Sequence, residues 1–263
     1  MQIVVLAKSV PEISEAELEI NAEGTGIETE DLVLGINEWD NFAVEEAVRL
    51  REAHGGTVTV MTLGDKEAED VLRRALAMGA DEAIHLCDDA FEGSDPATVA
   101  RLFARVLRDR KVDLILTGVQ SSDANNAQTG VLLAQELGWG YATLVTKIER
   151  AGETLTVHRE LESDTEERVE LPLPAVVTVQ SGINEPRYVS VMGIRKVRGK
   201  TIEQLGLGDL GVGEEQVGAA SSAITRRSLS LPDTSGAAEL LEGTLADISH
   251  RLATLVREAG GLS

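Results

Sequence analysis

Residues 57–79 read TVTVMTLGDKEAEDVLRRALAMG, and the change of hydrophobic period inside them decides the fold class. Thr57–Leu63 is a β-branched run of strand length. After it, Asp65 is placed to cap a helix whose apolar residues are Ala68, Val71, Leu72, Ala75 and Leu76. Their i, i+3, i+4, i+7, i+8 spacing makes one buried stripe, and Gly79 supplies the stop. A strand feeding a one-sided helix is half of a β-α-β crossover.

The same unit recurs on both sides. Upstream, Gln2–Ala7 is an apolar strand. After a polar stretch, Asp40 or Asn41 is expected to cap a helix through about His54, ended by Gly55-Gly56. Downstream, Ala83–Cys87 reads as a short strand, and Ser94-Asp95-Pro96 is a cap followed by proline at the first helical position. Val99, Leu102, Phe103, Val106 and Leu107 form the next helical stripe, Val112–Thr117 the next strand, and Ala127 to Leu137 a further helix ending near Gly138. Strands separated by single helices give an α/β fold: a doubly wound, mostly parallel sheet with helices on both faces. Longer alternating strands follow near Leu144–Ile148, Thr154–Arg159 and Glu167–Thr178. The expected domain therefore spans residues 1–183. From Asn184 to the end the chain loses dense core patterning and reads as an arm, closing in a helix over roughly Gly236–Ala259. Leu241, Leu245, Ile248, Leu252 and Leu255 make a narrow seam on that helix, for this chain's own domain or for a partner subunit. The poorly self-sufficient approach to it favours the partner.

The 263 residues carry 24 Lys+Arg against 45 Asp+Glu, a formal net charge of −21. That balance excludes broad binding to nucleic acid or to an anionic membrane surface, both of which need a basic face. One cysteine, Cys87, excludes an internal disulfide and every multi-cysteine metal site. The apolar run Ile3–Ala7 is too short for a signal peptide or a membrane span, and no Arg-rich transit segment accompanies it. The expected location is the prokaryotic cytoplasm, without membrane insertion.

Catalytic constellations are missing. His54, His85, His158 and His250 are scattered, and the sequence holds no GxSxG, no GxxxxGK[ST] and no GxGxxG after the first strand. The polar segment Thr117-Gly-Val-Gln-Ser-Ser-Asp-Ala-Asn-Asn-Ala-Gln-Thr-Gly130 stands out instead, because it leaves the carboxyl end of a central strand, where open α/β sheets bind ligands. Gly118 permits close backbone approach. Ser121, Ser122, Asp123, Asn125 and Asn126 are short hydrogen-bonding side chains. Gln128 and Thr129 open a helix whose free N–H groups favour a phosphate. The loop contains no Lys or Arg, so neutral donors would hold the anion. A second local feature is the run from Arg187 to Lys200, basic and apolar without an acidic residue. Such a run suits docking on an acidic partner, or pairing with the protein's own acidic surface.

At these segments the sequence resembles the β subunit of the electron-transfer flavoproteins. The likeness runs through Val5-Leu-Ala-Lys-Ser-Val-Pro11, Asn37-Glu-Trp-Asp-Asn-Phe-Ala-Val-Glu-Glu-Ala-Val-Arg-Leu50, Ala75-Leu-Ala-Met-Gly-Ala-Asp81 and the Gly118–Gly130 loop. It continues through Val157-His-Arg-Glu-Leu-Glu, Leu173-Pro-Ala-Val-Val-Thr178 and Asn184-Glu-Pro-Arg-Tyr188. The resemblance implies an electron carrier rather than an enzyme: a heterodimer whose α subunit holds most of the FAD, while this chain supplies one wall of the flavin site and buries a structural AMP. By matching positions, the AMP site involves Leu6, Asn37, Glu38, Trp39, Asp40, Leu63, Gly118, Val119, Gln120, Ser121, Ser122, Asp123, Ala124, Asn125, Asn126, Ala127, Gln128 and Thr129. Tyr188, Val191 and Met192 match the recognition loop that docks acyl-CoA and related dehydrogenases, with Val191 standing where the family usually has leucine. Leu241, Leu245, Ile248 and Leu252 suit the arm that wraps the α subunit. Electrons would pass on to a membrane electron-transfer flavoprotein quinone oxidoreductase. Other departures are Ser163 at a usually Gly/Asp position, Glu38 where proline is common and Val119 where lysine is frequent. Two alternatives follow from the same residues: a flavin-bifurcating subunit with a second FAD in the AMP position, and a stand-alone adenine-nucleotide-binding regulator of the universal-stress type.

Overall fold

The computed structural model describes residues 1–12, 18–29, 32–163, 165–232, 238 and 240–260. In chain order it runs β1 (Gln2–Leu6), β2 (Ser9–Pro11), β3 (Leu34–Ile36), α1 (Glu38–His54), β4 (Thr57–Leu63), α2 (Glu69–Met78), β5 (Glu82–Leu86) and α3 (Pro96–Leu107). Then follow β6 (Leu114–Gly118), α4 (Thr129–Leu137), β7 (Gly140–Ala151), β8 (Thr154–Glu160), β9 (Glu166–Pro172) and β10 (Ala175–Val179). The remainder is α5 (Val191–Val197), β11 (Glu203–Leu205), α6 (Leu207–Leu210), α7 (Gly218–Ser221) and α8 (Leu245–Glu258).

Nine strands form one sheet in the order β11-β5-β4-β1-β6-β10-β7-β8-β9, parallel from β11 to β7 and antiparallel over β8 and β9. The order reverses beside β1, which pairs with β4 on one side and with β6 on the other. Side-chain alternation divides the core into two layers. Val5, Val58, Val60 and Leu116 face the stripes of α1 (Ala43, Val44, Ala47) and α2 (Val71, Leu72, Ala75). Val4, Met61, Ile84 and Ile115 face α3 (Leu102, Phe103, Val106) and α4 (Leu133, Ala134). The doubly wound fold expected from the sequence is the fold observed.

Local differences have physical reasons. The first long helix starts at Glu38 with Asn37 as its cap, three residues before Asp40–Asn41, because Asp40 turns inward instead of capping. The continuous strand expected over Glu167–Thr178 is two strands. β9 lies antiparallel at the sheet edge, whereas β10 runs parallel between β6 and β7. Pro172 and Pro174, which lack an N–H, bracket the turn between them. The helix expected from Ala127 starts at Thr129, after Asn125 and Ala127 adopt left-handed φ of 49° and 52°.

Residues after Asn184 return to the sheet before leaving it. α5 lies on α2, where Arg73 donates to the carbonyls of Val197 (3.1 Å) and Lys200 (2.6 Å), and β11 adds an edge strand beside β5. Leu210 and Val217 enter the α3 layer. The terminal helix is shorter than Gly236–Ala259. Thr244 caps it by accepting from the Asp247 amide, with the Asp247 carboxylate returning to Thr244. Leu241 consequently precedes the helix, and residues 236, 237 and 239 lie outside the described residues. No residue of α8 is buried, and Leu245 and Leu252 are 82% and 53% exposed. Among the described residues no helix is long and apolar enough to cross a membrane.

Candidate functional site

At the switch point the carboxyl ends of β1 and β6 separate, and the amino end of α1 fills the gap. The β1–β6 ladder stops at the pair Leu6–Thr117. Two backbone amides just beyond it, of Lys8 and Gly118, are both taken by Asp40: Lys8 N donates to Oδ2 and Gly118 N to Oδ1, each at 2.8 Å. Burial pushes the Asp40 carboxyl up to about 6, against the lowering effect of those amides, of Asn37 and of the Lys8 charge. Gly118 has to be glycine here. A Cβ would lie 2.5 Å from Asp40 Oδ1 and 2.6 Å from Trp39 Cβ.

Asn37, fully buried, does not cap α1 with its side chain. Its Nδ2 donates to the Gln120 carbonyl at 2.8 Å, and its Oδ1 accepts from the Ser122 amide at 3.2 Å. Val119 N continues toward β10 by donating to Val179 O at 2.9 Å. The loop is thus tied at its root to α1 and β10, while Ser122, Asp123 and Asn125–Gln128 are exposed. α4 then begins without any side-chain cap, and a Cβ on Gly130 would lie 2.7 Å from Thr178 Cγ2 and 3.0 Å from Thr117 Oγ1. Uncapped first-turn amides, short polar side chains and glycines against the strand ends form a donor set suited to an anionic group.

A family model described as electron transfer flavoprotein domain matches residues 25–210. The chain is 36% identical over 265 residues to the electron transfer flavoprotein subunit beta of Methylophilus methylotrophus, covering 99% of this chain and 100% of that one. It is 38% identical over 223 residues to the subunit of the same name from Bacillus subtilis, covering 84% and 85%. It is also 37% identical over 262 residues to the caffeyl-CoA reductase-Etf complex subunit CarD of Acetobacterium woodii, covering 98% of each. This chain belongs to the electron-transfer flavoprotein β-subunit family. Its role is in electron transfer.

Within this β-subunit fold the residues singled out from the sequence fall into two groups. Leu6, Leu63 and Gly118 end β1, β4 and β6, Asn37 to Asp40 open α1, and Val119 to Thr129 run from β6 to α4, so all lie at one end of the sheet. Tyr188, Val191 and Met192 lie apart from them, on and just before α5, and are 90%, 68% and 62% exposed. The basic run is not free as a whole. Arg187 donates to Glu45 (2.8 Å) and Glu52 (3.0 Å) on α1, and Asn184 to Glu46 (3.0 Å). Lys200 reaches the Ala80 carbonyl at 3.2 Å. Arg187 is thus paired with the chain's own acidic surface and Lys200 with backbone carbonyls, while Val189 and Val197 pack on the core and Tyr188, Val191 and Met192 stay in solvent.

Three site residues escaped the sequence reading. Lys8 sends its Nζ to Asp123 at 2.7 Å and to Ser121 at 3.4 Å, so a cation does enter the loop, already paired with a carboxylate. Its place right after the first strand was the available signal. Gln180 accepts from the Trp39 indole at 3.0 Å, and Thr178 lies against Gly130. Nothing local in the sequence marks these two. Concavities of about 650 and 290 Å³ lie elsewhere, on the flank of α3 around Arg105 and Arg108, and no AMP-matched residue lines them. Among the described residues no cluster of His, Cys, Asp and Glu could hold a metal.

Proposed function

We propose that this chain is the β subunit of a heterodimeric carrier in which it buries one AMP at the switch point and supplies one wall of an FAD site held mainly by the α subunit. The observation that carries this reading is the Asn37–Asp40 clamp on the root of the Gly118–Thr129 loop, which presents the uncapped start of α4 at the carboxyl end of the sheet. The phosphate would meet amides and hydroxyls, since Lys8 is engaged by Asp123. The Gln128-Thr129-Gly130 sequence, which resembles AMP-binding members of the family, favours AMP over a second FAD. Bound FAD supplies the redox chemistry, and the chain's part is to position and to dock.

Two exposed apolar regions fit two partners. Tyr188, Val191 and Met192 beside Arg195 and Lys196 would anchor an acyl-CoA or related dehydrogenase. Leu245, Ile248 and Leu252 of α8 would lie on the α subunit, and the reduced carrier would pass electrons to a membrane quinone oxidoreductase. Purification of the chain with and without its α subunit tests the division of labour. The chain alone should show little flavin absorbance and the heterodimer should be yellow. Isolated chain carrying one FAD apiece would refute it.

A further inference from the structure

Asp40 belongs to the first turn of α1, yet its side chain serves neither that helix nor solvent. Beyond Leu6 and Thr117, where the β1–β6 ladder ends, the amides of Lys8 and Gly118 would be left unpaired at the carboxyl end of the sheet. One carboxylate satisfies both, one oxygen to each strand, at 2.8 Å. The amide between Leu6 and Lys8, that of Ala7, donates to Met61 O on β4, and Val119 N beyond Gly118 donates to Val179 O on β10, each at 2.9 Å, so the two strand ends are held to opposite sides with Asp40 between them.

We propose that Asp40 is a positioning residue of the nucleotide crevice, its carboxylate fixing the separation of the β1 and β6 ends and so setting the conformation in which the 118–129 loop receives AMP. The proposal rests on the AMP reading given above. Two features distinguish it from ordinary structural support. First, the clamp is costly to the fold. The Asp40 pKa is raised above its ordinary carboxylate value by burial, so at neutral pH the ionised side chain is the unfavourable form to bury. A neutral side chain of the same shape would not carry that burial cost, and it would give up one of the two acceptors. Second, only a carboxylate offers two acceptors to the two converging amides. An asparagine would turn its NH₂ toward one of them and leave that donor facing a donor. Fold stability and crevice geometry therefore make opposite demands at this position.

The experiment compares the wild-type and Asp40→Asn heterodimers, each stripped of AMP, by calorimetric titration with AMP and by thermal unfolding. The wild type is measured first. If it binds no AMP, the reading of the site fails and Asp40 has no such role. If it binds, Asp40→Asn should weaken AMP by at least about tenfold, the equivalent of one charge-assisted hydrogen bond. Its unfolding temperature without AMP should lie within about 3 °C of wild type or above it. Exchange of the Gly118 or the Lys8 amide should also speed up in the variant. Wild-type AMP affinity in Asp40→Asn would overturn the proposal while leaving the AMP reading intact. A large loss of stability in the variant would also overturn it, because the clamp would then support the fold as a whole and not the nucleotide site in particular.

Discussion

Replacing Gly118 by alanine puts a methyl group into the space between β6 and the first turn of α1. It would sit 2.5 Å from Asp40 Oδ1, 2.6 Å from Trp39 Cβ and 2.9 Å from Asp40 N. An uncrowded contact for a carbon atom lies near 3.5–4 Å, so each overlap is about 1 Å. Two of these atoms are anchored close to the backbone, and side-chain rotation cannot relieve the clash. Relief means moving the end of β6 away from α1, which also stretches the 2.8 Å bond from Gly118 N to Asp40. Overpacking of this kind costs about 1–3 kcal/mol, and loss of a hydrogen bond to a buried charge adds about 1.5–3 kcal/mol. With partial relaxation the total should be about 3 kcal/mol, or about 6–12 °C in unfolding temperature for a chain of this size. Calorimetry of the heterodimer reads this directly. Gly199→Ala is the control, because a Cβ there meets nothing within 4 Å, and it should change stability by less than about 0.5 kcal/mol. A Gly118→Ala protein as stable as that control would refute the close approach of β6 and α1.

Three further outcomes follow from single residues. Asp95 accepts from Thr98 N and, through its other oxygen, from Ala223 N, both at 2.8 Å. Burial raises its pKa, but those amides outweigh burial and leave it below the ordinary value. Its ionised form therefore stabilises the fold at neutral pH, and the contribution fades as pH falls below the ordinary carboxylate range. Asp95→Ala should cost about 1–2 kcal/mol by denaturant titration at pH 7 and less at pH 3. His85 is fully buried, neither ring nitrogen makes a hydrogen bond of good geometry, and burial lowers its pKa against the opposing effect of the nearby Gly64 and Asp65 backbone. The unfolded chain binds the proton more readily, so stability drops as pH falls through about 6.5. His85→Leu should be neutral or stabilising at pH 7.5 and should flatten that slope in denaturant titrations at successive pH values. Arg187→Ala leaves the buried Glu45 without its 2.8 Å partner. It should cost about 1–2 kcal/mol, because the arginine itself is partly exposed, and should lower the salt sensitivity of stability.

The sheet was legible because its central strands and helices differ in period: alternation over Thr57–Leu63, then a 3.6-residue stripe from Ala68 to Leu76, each with a polar or glycine boundary. The split of Glu167–Thr178 was not, since apolar residues run from Leu171 to Val179 with only prolines to mark the change of direction. The start of α1 was displaced by a residue whose usual preference misleads. Aspartate favours helix caps, and Asp40 is instead drawn inward by two amides from distant strands. The same cause hid Lys8, which lies 115 positions from the Asp123 it pairs with. Local pattern locates the loop from Gly118 to Thr129. What fixes its root is long-range hydrogen bonding from Asn37 and Asp40, which no periodicity records.

If the β1–β6 switch point receives a structural AMP, the only flavin of the heterodimer belongs to the site shared with the α subunit. The most direct test is chromatography of the nucleotides released by acid from the purified heterodimer. One FAD and one AMP per heterodimer is the predicted result; two FAD and no AMP would contradict it and give the Gly118–Thr129 loop a redox role.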